Sequence, residues 1–358
     1  VSHERHSVAL VITAPMWRGS ATSFAKIARG LVDAGHRVQL FTAAESVTRG
    51  FRELGLDALT LDLPNSGFAS VLRLRAVLHA RVVIADAPRD VRLAALATMG
   101  RNTRLLWRFN LPNRPVPSDV VARALFRGLE GIICQSAWSA ELLRERAPWL
   151  ARIPVTRIAN GYDLAVLRPS PGRGAAFRAT HGIPADTPFV VTVGALSPEK
   201  GLPQAIAATT RLGARHPGVL HLLIGSGQDE ATLRQTAPAH VRFAGALDAT
   251  ATADAMRAAD VILLPSAREI FPNVVAEAMA VGGAVVTVHG GAAPEVAGDA
   301  AHIVEPWDVD AMADAVSQLL SEPAKRAELG ARARARIAAE FALERMVEEY
   351  VELVRGEG

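Results

Sequence analysis

The sequence predicts an α/β protein built on two doubly wound parallel sheets, and three observations carry that prediction. Short β-branched runs alternate from end to end with Ala/Leu/Arg stretches of helical period. Several of these runs end in small or polar residues and are followed by helical periodicity, as at 20–34 and 254–259. At 358 residues the chain also exceeds what one ordinary core encloses, which makes two domains the default.

Taken in order, strands are predicted at 7–13, 38–42, 82–86, 105–109 and 131–135. A second series follows at 156–159, 189–194, 220–225, 241–245, 261–265, 284–288 and 301–304. The turn-rich segments Asn160-Gly-Tyr-Asp163 and Leu167-Arg-Pro-Ser-Pro-Gly-Arg-Gly174 mark the junction. This gives an N-terminal domain over 1–165, a second over 166–338, and a terminal segment, 339–358. One long helix is predicted over about 324–354, long enough to leave its own domain and pack back towards the first. Ligands of such folds bind beyond the carboxyl ends of the strands, here expected in the cleft between the domains.

Composition narrows the function classes. Half the residues are apolar and 21% are charged, a globular balance. The longest apolar run, 278–288, contains two glycines and falls short of the ~20 residues a membrane span needs. The run at 8–13 reads as a first strand and not as a signal peptide. A single cysteine, Cys134, rules out an internal disulfide and fits a reducing, cytoplasmic compartment. Residues 1–165 carry 22 Lys/Arg against 13 Asp/Glu, whereas the remainder carries 17 against 23. Arg101, Arg104, Arg108, Arg114, Arg123 and Arg127 crowd one stretch of the basic half. They form either a solvated surface or a field that draws an anionic acceptor or the cytoplasmic membrane face. Aromatics are 5% and no familiar module is visible, which argues against nucleic acid. The ten histidines show no His-x-x-x-His spacing, so no metal is expected. His36 reads as structural, and His289, in a loop after a strand, as a candidate for a sugar hydroxyl.

The segment Glu269-Ile-Phe-Pro-Asn-Val-Val-Ala-Glu277 carries the chemistry. Pro272 fits a first helical turn, Asn273 can cap or open a helix, and Gly282-Gly283 would end it. Glu277 then lies about one turn inside, and Glu269 on the loop ahead. The N–H groups near Asn273 and Val274 would face the cleft as an anion site. Two acids flanking a phosphate cradle suit a ligand with both hydroxyls and phosphates, as in a nucleotide sugar. Lys200, in Ser197-Pro-Glu-Lys-Gly201, is one of only three lysines against 36 arginines, and suggests a compact ammonium for a diphosphate. Gly225-Ser-Gly227 is half of a dinucleotide fingerprint, with Glu230 where the third glycine belongs. Gly19, in Trp17-Arg-Gly-Ser, either lets a backbone approach a phosphate or is an ordinary strand-to-helix connection.

Together these pieces resemble glycosyltransferase family 4, the retaining nucleotide-sugar transferases of the GT-B fold. The resemblance runs through Gly35-His-Arg-Val38, Asn160-Gly-Tyr-Asp163, Pro198-Glu-Lys-Gly201, Gly225-x-Gly227, Ala259-Asp-Val-Ile-Leu-Leu-Pro-Ser266 and the paired-glutamate block. It implies a donor site of Lys200, Glu269, Phe271, Pro272, Asn273, Val274 and Glu277, to which the loop reading adds Gly19 as a candidate. Lys200 would neutralise the diphosphate, N–H groups at 271–274 would cradle it, and Glu277 would bind the ribose. Glu269 would contact the transferred sugar at the reacting centre, which makes Glu269 and Lys200 the implied catalytic pair. A sugar, lipid-linked or natural-product acceptor is implied on the N-terminal domain, with Arg108 and Asn110 as its candidate contacts. No cofactor or metal is implied.

Two positions depart from the family pattern. Ala195 stands where the loop usually carries an arginine, and Asn110 where a histidine is common. Arg18, Arg108 and Arg268 are candidate substitutes for the missing cation. The departures keep a catalytically impaired binding or partner subunit open. A GT-B-like sugar-nucleotide epimerase is the third reading.

Overall fold

A computed structural model describes residues 5–17, 19–63, 67–110, 115–213 and 215–356. Arg18 and Arg114 therefore lie outside the described residues. Seven strands form the first sheet: β1 (Ser7–Ile12), β2 (Arg37–Thr42), β3 (Ala58–Thr60), β4 (Val82–Ala85), β5 (Arg104–Arg108), β6 (Gly131–Cys134) and β7 (Val155–Arg157). Their order is β3-β2-β1-β4-β5-β6-β7, and every pairing is parallel. Six strands form the second: β8 (Phe189–Val193), β9 (Leu220–Ile224), β10 (Val241–Gly245), β11 (Val261–Leu264), β12 (Val285–Val288) and β13 (His302–Val304). The order there is β10-β9-β8-β11-β12-β13, again all parallel.

The central strands β4, β11 and β12 are buried at every residue, which is why they read as unbroken apolar runs and not as alternation. Both sheets share one topology. The chain moves outward from β1 to β3, then returns to lay β4 beside β1; likewise it moves from β8 to β10 and returns with β11 beside β8. Each return creates a switch point, and the loops leaving the two central strands diverge there to leave a crevice.

The chain divides into two compact units, one ending at Gly161 and resumed at Leu343, the other spanning Tyr162–Ala342. In the first, Leu10, Phe24, Ile27 and Leu31 pack with Tyr350 and Val354 of the last helix, Leu343–Arg355. Gly30 makes this packing possible: a Cβ there would lie 2.3 Å from a Val347 methyl. In the second, Val190, Val261, Leu263 and Val286 pack against Met312, Val316 and Leu319 of the helix Val309–Ser321.

Two sequence expectations need correction, and one strand was not expected at all. The single helix expected over 324–354 is two helices, Pro323–Glu340 and Leu343–Arg355. The Phe341 carbonyl accepts the Tyr162 N–H at 2.9 Å, and Ala342 bridges Tyr162, so tertiary pairing overrides continuous helical periodicity there. The run at 156–159, expected to open the second series, is β7 on the edge of the first sheet, with Ile132 opposite Val155. β3, only three residues long, carries too short an apolar run to be read from sequence.

Candidate functional site

In the second unit, four loops leave the carboxyl ends of β8, β9, β11 and β12 and are held together by close backbone approaches. The Gly194 N–H donates to the Ile224 carbonyl, and the Leu196 N–H to that of Ser226, each at 3.0 Å. Cβ atoms at Gly225 and Gly227 would lie 1.9 and 2.3 Å from the carbonyl oxygens of Gly194 and Leu196. The Gly-Ser-Gly pair therefore serves close packing of two loops. The chain continues into the 3₁₀ turn Pro198–Lys200 and then Gly201. Gly201 has φ +66°, and a Cβ there would lie 2.7 Å from the Pro265 carbonyl oxygen. Only glycine permits both the left-handed backbone and that approach. The contact sets Lys200 against the loop that follows β11.

On that loop, Glu269 Oε1 accepts the Lys200 ammonium and, at 2.8 Å, the Ser266 hydroxyl. Lys200 and Glu269 are each 24% exposed, so the pair is partly shielded but open to a ligand. The Glu269 backbone rests on the loop after β12. The Ala292 N–H donates to the Glu269 carbonyl at 3.0 Å, and Gly291, at φ +56°, would bring a Cβ to 2.5 Å from the Glu269 nitrogen. Since Lys200 follows β8 and Glu269 follows β11, the ion pair lies at the switch point of the second sheet.

The helix Asn273–Ala280 starts just beyond, with Pro272 as its N-cap and no side-chain capping bond. Glu277 lies half-buried one turn inside, as expected. The predicted cradle at 271–274 needs one revision. Pro272 has no N–H, and the Asn273 N–H donates to the Phe271 carbonyl at 3.0 Å. Among the described residues, the N–H groups of Val274 and Val275 are the ones at this helix start with no backbone acceptor. Phe271 itself is buried, its ring against those of Tyr162 and Phe341. Ala195 is exposed and brings no cation, while Arg268 is exposed on the Glu269 loop and makes no ion pair among the described residues.

The other predicted residues lie in the first unit. Gly19 is exposed and opens the helix Gly19–Asp33. Arg108 is 3% exposed, with Nη2 donating to Asn160 Oδ1 at 2.9 Å and Nη1 3.5 Å from Asp86 Oδ1. Its guanidinium is thus engaged inside the protein, where it also bonds the Tyr350 hydroxyl. Asn110 is half-buried at the end of the described stretch after β5. His36 is buried and accepts the His6 N–H on Nδ1, a structural placement; His289 is exposed after β12.

Sequence reading missed a carboxylate pair at the switch point of the first sheet. Asp86 follows β4, and burial pushes its carboxyl up while Arg108 draws it back down. Asp90 is fully buried and accepts the Thr13 hydroxyl, the Thr13 N–H and the Ala87 N–H. Burial pushes its carboxyl up to about 7 despite those bonds. The available signal was two acids four residues apart at the end of an apolar strand. Gly290-Gly291, separated from the end of β12 by His289 alone, was likewise a legible sign of close backbone approach. Among the described residues, no group of three or more His, Cys, Asp or Glu could hold a metal, and no helix is long and apolar enough to cross a membrane.

Two doubly wound parallel units in one chain are the architecture of the GT-B class of fold. An Anabaena protein, HepE, crystallised with UDP and glucose, superposes with a TM-score of 0.85 at 18% identity, covering 98% of this chain and 100% of that one. A Rickettsia africae glycosyltransferase gives 0.86 at 15%, covering 99% and 98%. Residues 17–166 match the model for Glycosyltransferase Family 4, and residues 175–336 that for Glycosyl transferases group 1. The chain belongs to the family-4 glycosyltransferases. It is 29% identical over 330 residues to the phosphatidyl-myo-inositol mannosyltransferase of Mycolicibacterium smegmatis, spanning 87% of this chain and 83% of that one. It is 31% identical over 212 residues to a GDP-mannose-dependent monoacylated alpha-(1-6)-phosphatidylinositol monomannoside mannosyltransferase of Corynebacterium glutamicum, spanning 56% of each.

Proposed function

We propose that this chain is a retaining glycosyltransferase that moves a sugar from a UDP- or GDP-sugar to a hydroxyl of a sugar, lipid-linked or small-molecule acceptor. The observation that carries the reading is the Lys200–Glu269 pair at the β8–β11 switch point, on the loop ahead of the helix that carries Glu277. A diphosphate beside Lys200 would exchange carboxylate for phosphate oxygens as the partner of the ammonium. The N–H groups of Val274 and Val275, at the positive end of their helix, would bind the same diphosphate. Glu269, released from Lys200, would accept hydrogen bonds from the transferred sugar, and Glu277 from the ribose. The Anabaena structure with UDP and glucose, and the GDP-mannose dependence of the Corynebacterium relative, support a nucleotide-sugar donor of either base.

In this reading the acceptor oxygen forms its bond to the anomeric carbon as the bond to the diphosphate oxygen breaks. The departing oxygen takes the acceptor proton on the same face, so nucleoside diphosphate leaves and the configuration is retained. No side chain acts as nucleophile. The protein orients the reactants and stabilises charge on the leaving group. Lys200 and the helix start supply that positive charge, and we assign no metal to the reaction. The acceptor belongs to the first unit, whose basic excess suits an anionic or lipid-phosphate acceptor and peripheral contact with the cytoplasmic membrane face.

Ala195 favours a second reading, an impaired relative that binds donor without turning it over. The test is to incubate the purified chain with UDP- and GDP-sugars and an acceptor panel, with and without EDTA. Released nucleoside diphosphate and the anomeric configuration of the product are then followed by NMR. The proposal expects retained configuration and EDTA-insensitive turnover. Inversion would overturn it, and donor binding without any turnover would select the impaired relative.

A further inference from the structure

Tyr162 is fully buried and is the first residue of the second unit. Its hydroxyl donates to Asn273 Oδ1 at 2.7 Å. Its ring stacks on Phe271 at 6.4 Å and 22°, and Phe271 meets Phe341 edge-on at 5.7 Å. Its backbone is tied to Phe341 by a 2.9 Å hydrogen bond and to Ala342 by a parallel bridge. The two segments by which the chain enters and leaves this unit therefore meet on the residues that start the helix Asn273–Ala280. A buried phenol needs a hydrogen-bond partner, and this one spends its donor on the first helical residue.

Asn273 is the first residue of the helix, and its side-chain oxygen accepts the Tyr162 hydroxyl. That anchor fixes the first turn from behind. The Val274 and Val275 N–H groups then keep one direction, and Glu277, one turn on, keeps its distance from Glu269.

We propose that Tyr162 is a positioning residue for the donor diphosphate, acting through Asn273 without touching the ligand. The proposal rests on the donor reading above and deepens it. It separates Tyr162 from its neighbours by mechanism: Lys200 acts on the diphosphate by charge, whereas Tyr162 acts by holding the N–H groups in place.

The test measures dissociation constants of UDP and UMP, and of GDP and GMP, on the full chain. The variants are Tyr162→Phe, Asn273→Ala, the double variant and Lys200→Ala. Tyr162→Phe should weaken diphosphate binding about fivefold, the size of one lost hydrogen bond, and shrink the preference for diphosphate over monophosphate. Asn273→Ala should do the same, and the double variant should be no worse than either single one. A purely structural role would lower the melting temperature and leave the diphosphate preference unchanged. Unchanged preference, or losses that add in the double variant, would overturn the proposal while Lys200→Ala still reports a donor site. If the wild type binds neither diphosphate, the donor reading fails and the role of Tyr162 fails with it. Asn273→Ala decides the matter should Tyr162→Phe not fold.

Discussion

Lys200 and Glu269 form an ion pair between the loops that leave the two central strands of the second sheet, although 69 residues separate them in sequence. Neither strand end would hold the pair alone. Gly201 presses the lysine loop onto Pro265, and Gly290-Gly291 support the glutamate loop from the other side.

Lys200→Ala should lower turnover of a nucleotide-sugar by ~10²–10³, the usual effect of removing one group aimed at developing charge. Lys200→Arg should recover only part of this, because the planar guanidinium does not fit a seat shaped around an ammonium. Steady-state release of nucleoside diphosphate checks both. Wild-type rates in Lys200→Ala would remove it from the site.

Arg268 is exposed on the same loop as Glu269. Arg268→Ala should raise the dissociation constant for the nucleoside diphosphate by roughly 3- to 10-fold, with a salt dependence weaker than that of wild type. Titrations at two ionic strengths measure it. An unchanged constant would mean that the site works with Lys200 as its one side-chain cation.

Gly291→Ala should destabilise the fold by about 1–2 kcal/mol through its left-handed backbone alone. The added Cβ would also push on the Glu269 backbone, 2.5 Å away, so turnover should fall more than stability explains. Thermal melting and rate, compared at a temperature where the variant is fully folded, separate the two effects.

Asp90 gives a pH signature. Its carboxyl is raised to about 7 in the folded chain, chiefly by burial, against about 3.9 in an unfolded one. The folded state therefore holds the proton more tightly. The stabilisation is complete below the unfolded value and is lost as pH rises towards the folded one. The melting temperature should fall by a few degrees between pH 5 and 8. Asp90→Asn, which can still accept the Thr13 and Ala87 N–H groups and donate to the Thr13 hydroxyl, should flatten that slope. An unchanged slope would place the pH dependence elsewhere.

Much of this was legible in the sequence because parallel strands buried on both faces are written as unbroken apolar runs. β8, β9, β11 and β12 could each be located to within a residue at either end. The glutamate block was legible because a proline, an asparagine and a glycine pair punctuate its helix. What escaped depends on contacts distant in sequence. The break at Phe341-Ala342 is set by Tyr162, and nothing local signals it. Arg108 reads as a surface cation until the chain places Asp86, Asn160 and Tyr350 around it. Its burial is a property of the first sheet's packing and not of the residues beside it.

The most direct measurement is the melting temperature of wild type and Glu277→Ala with UDP, GDP, ADP and TDP. A ligand that binds only the folded state at 100 times its dissociation constant adds about 2.7 kcal/mol, enough to see as a melting shift. A clear shift is expected with one of these nucleotides, weakened in Glu277→Ala. No shift with any nucleotide, or an equal shift in the variant, would contradict a donor site at Lys200, Glu269 and Glu277.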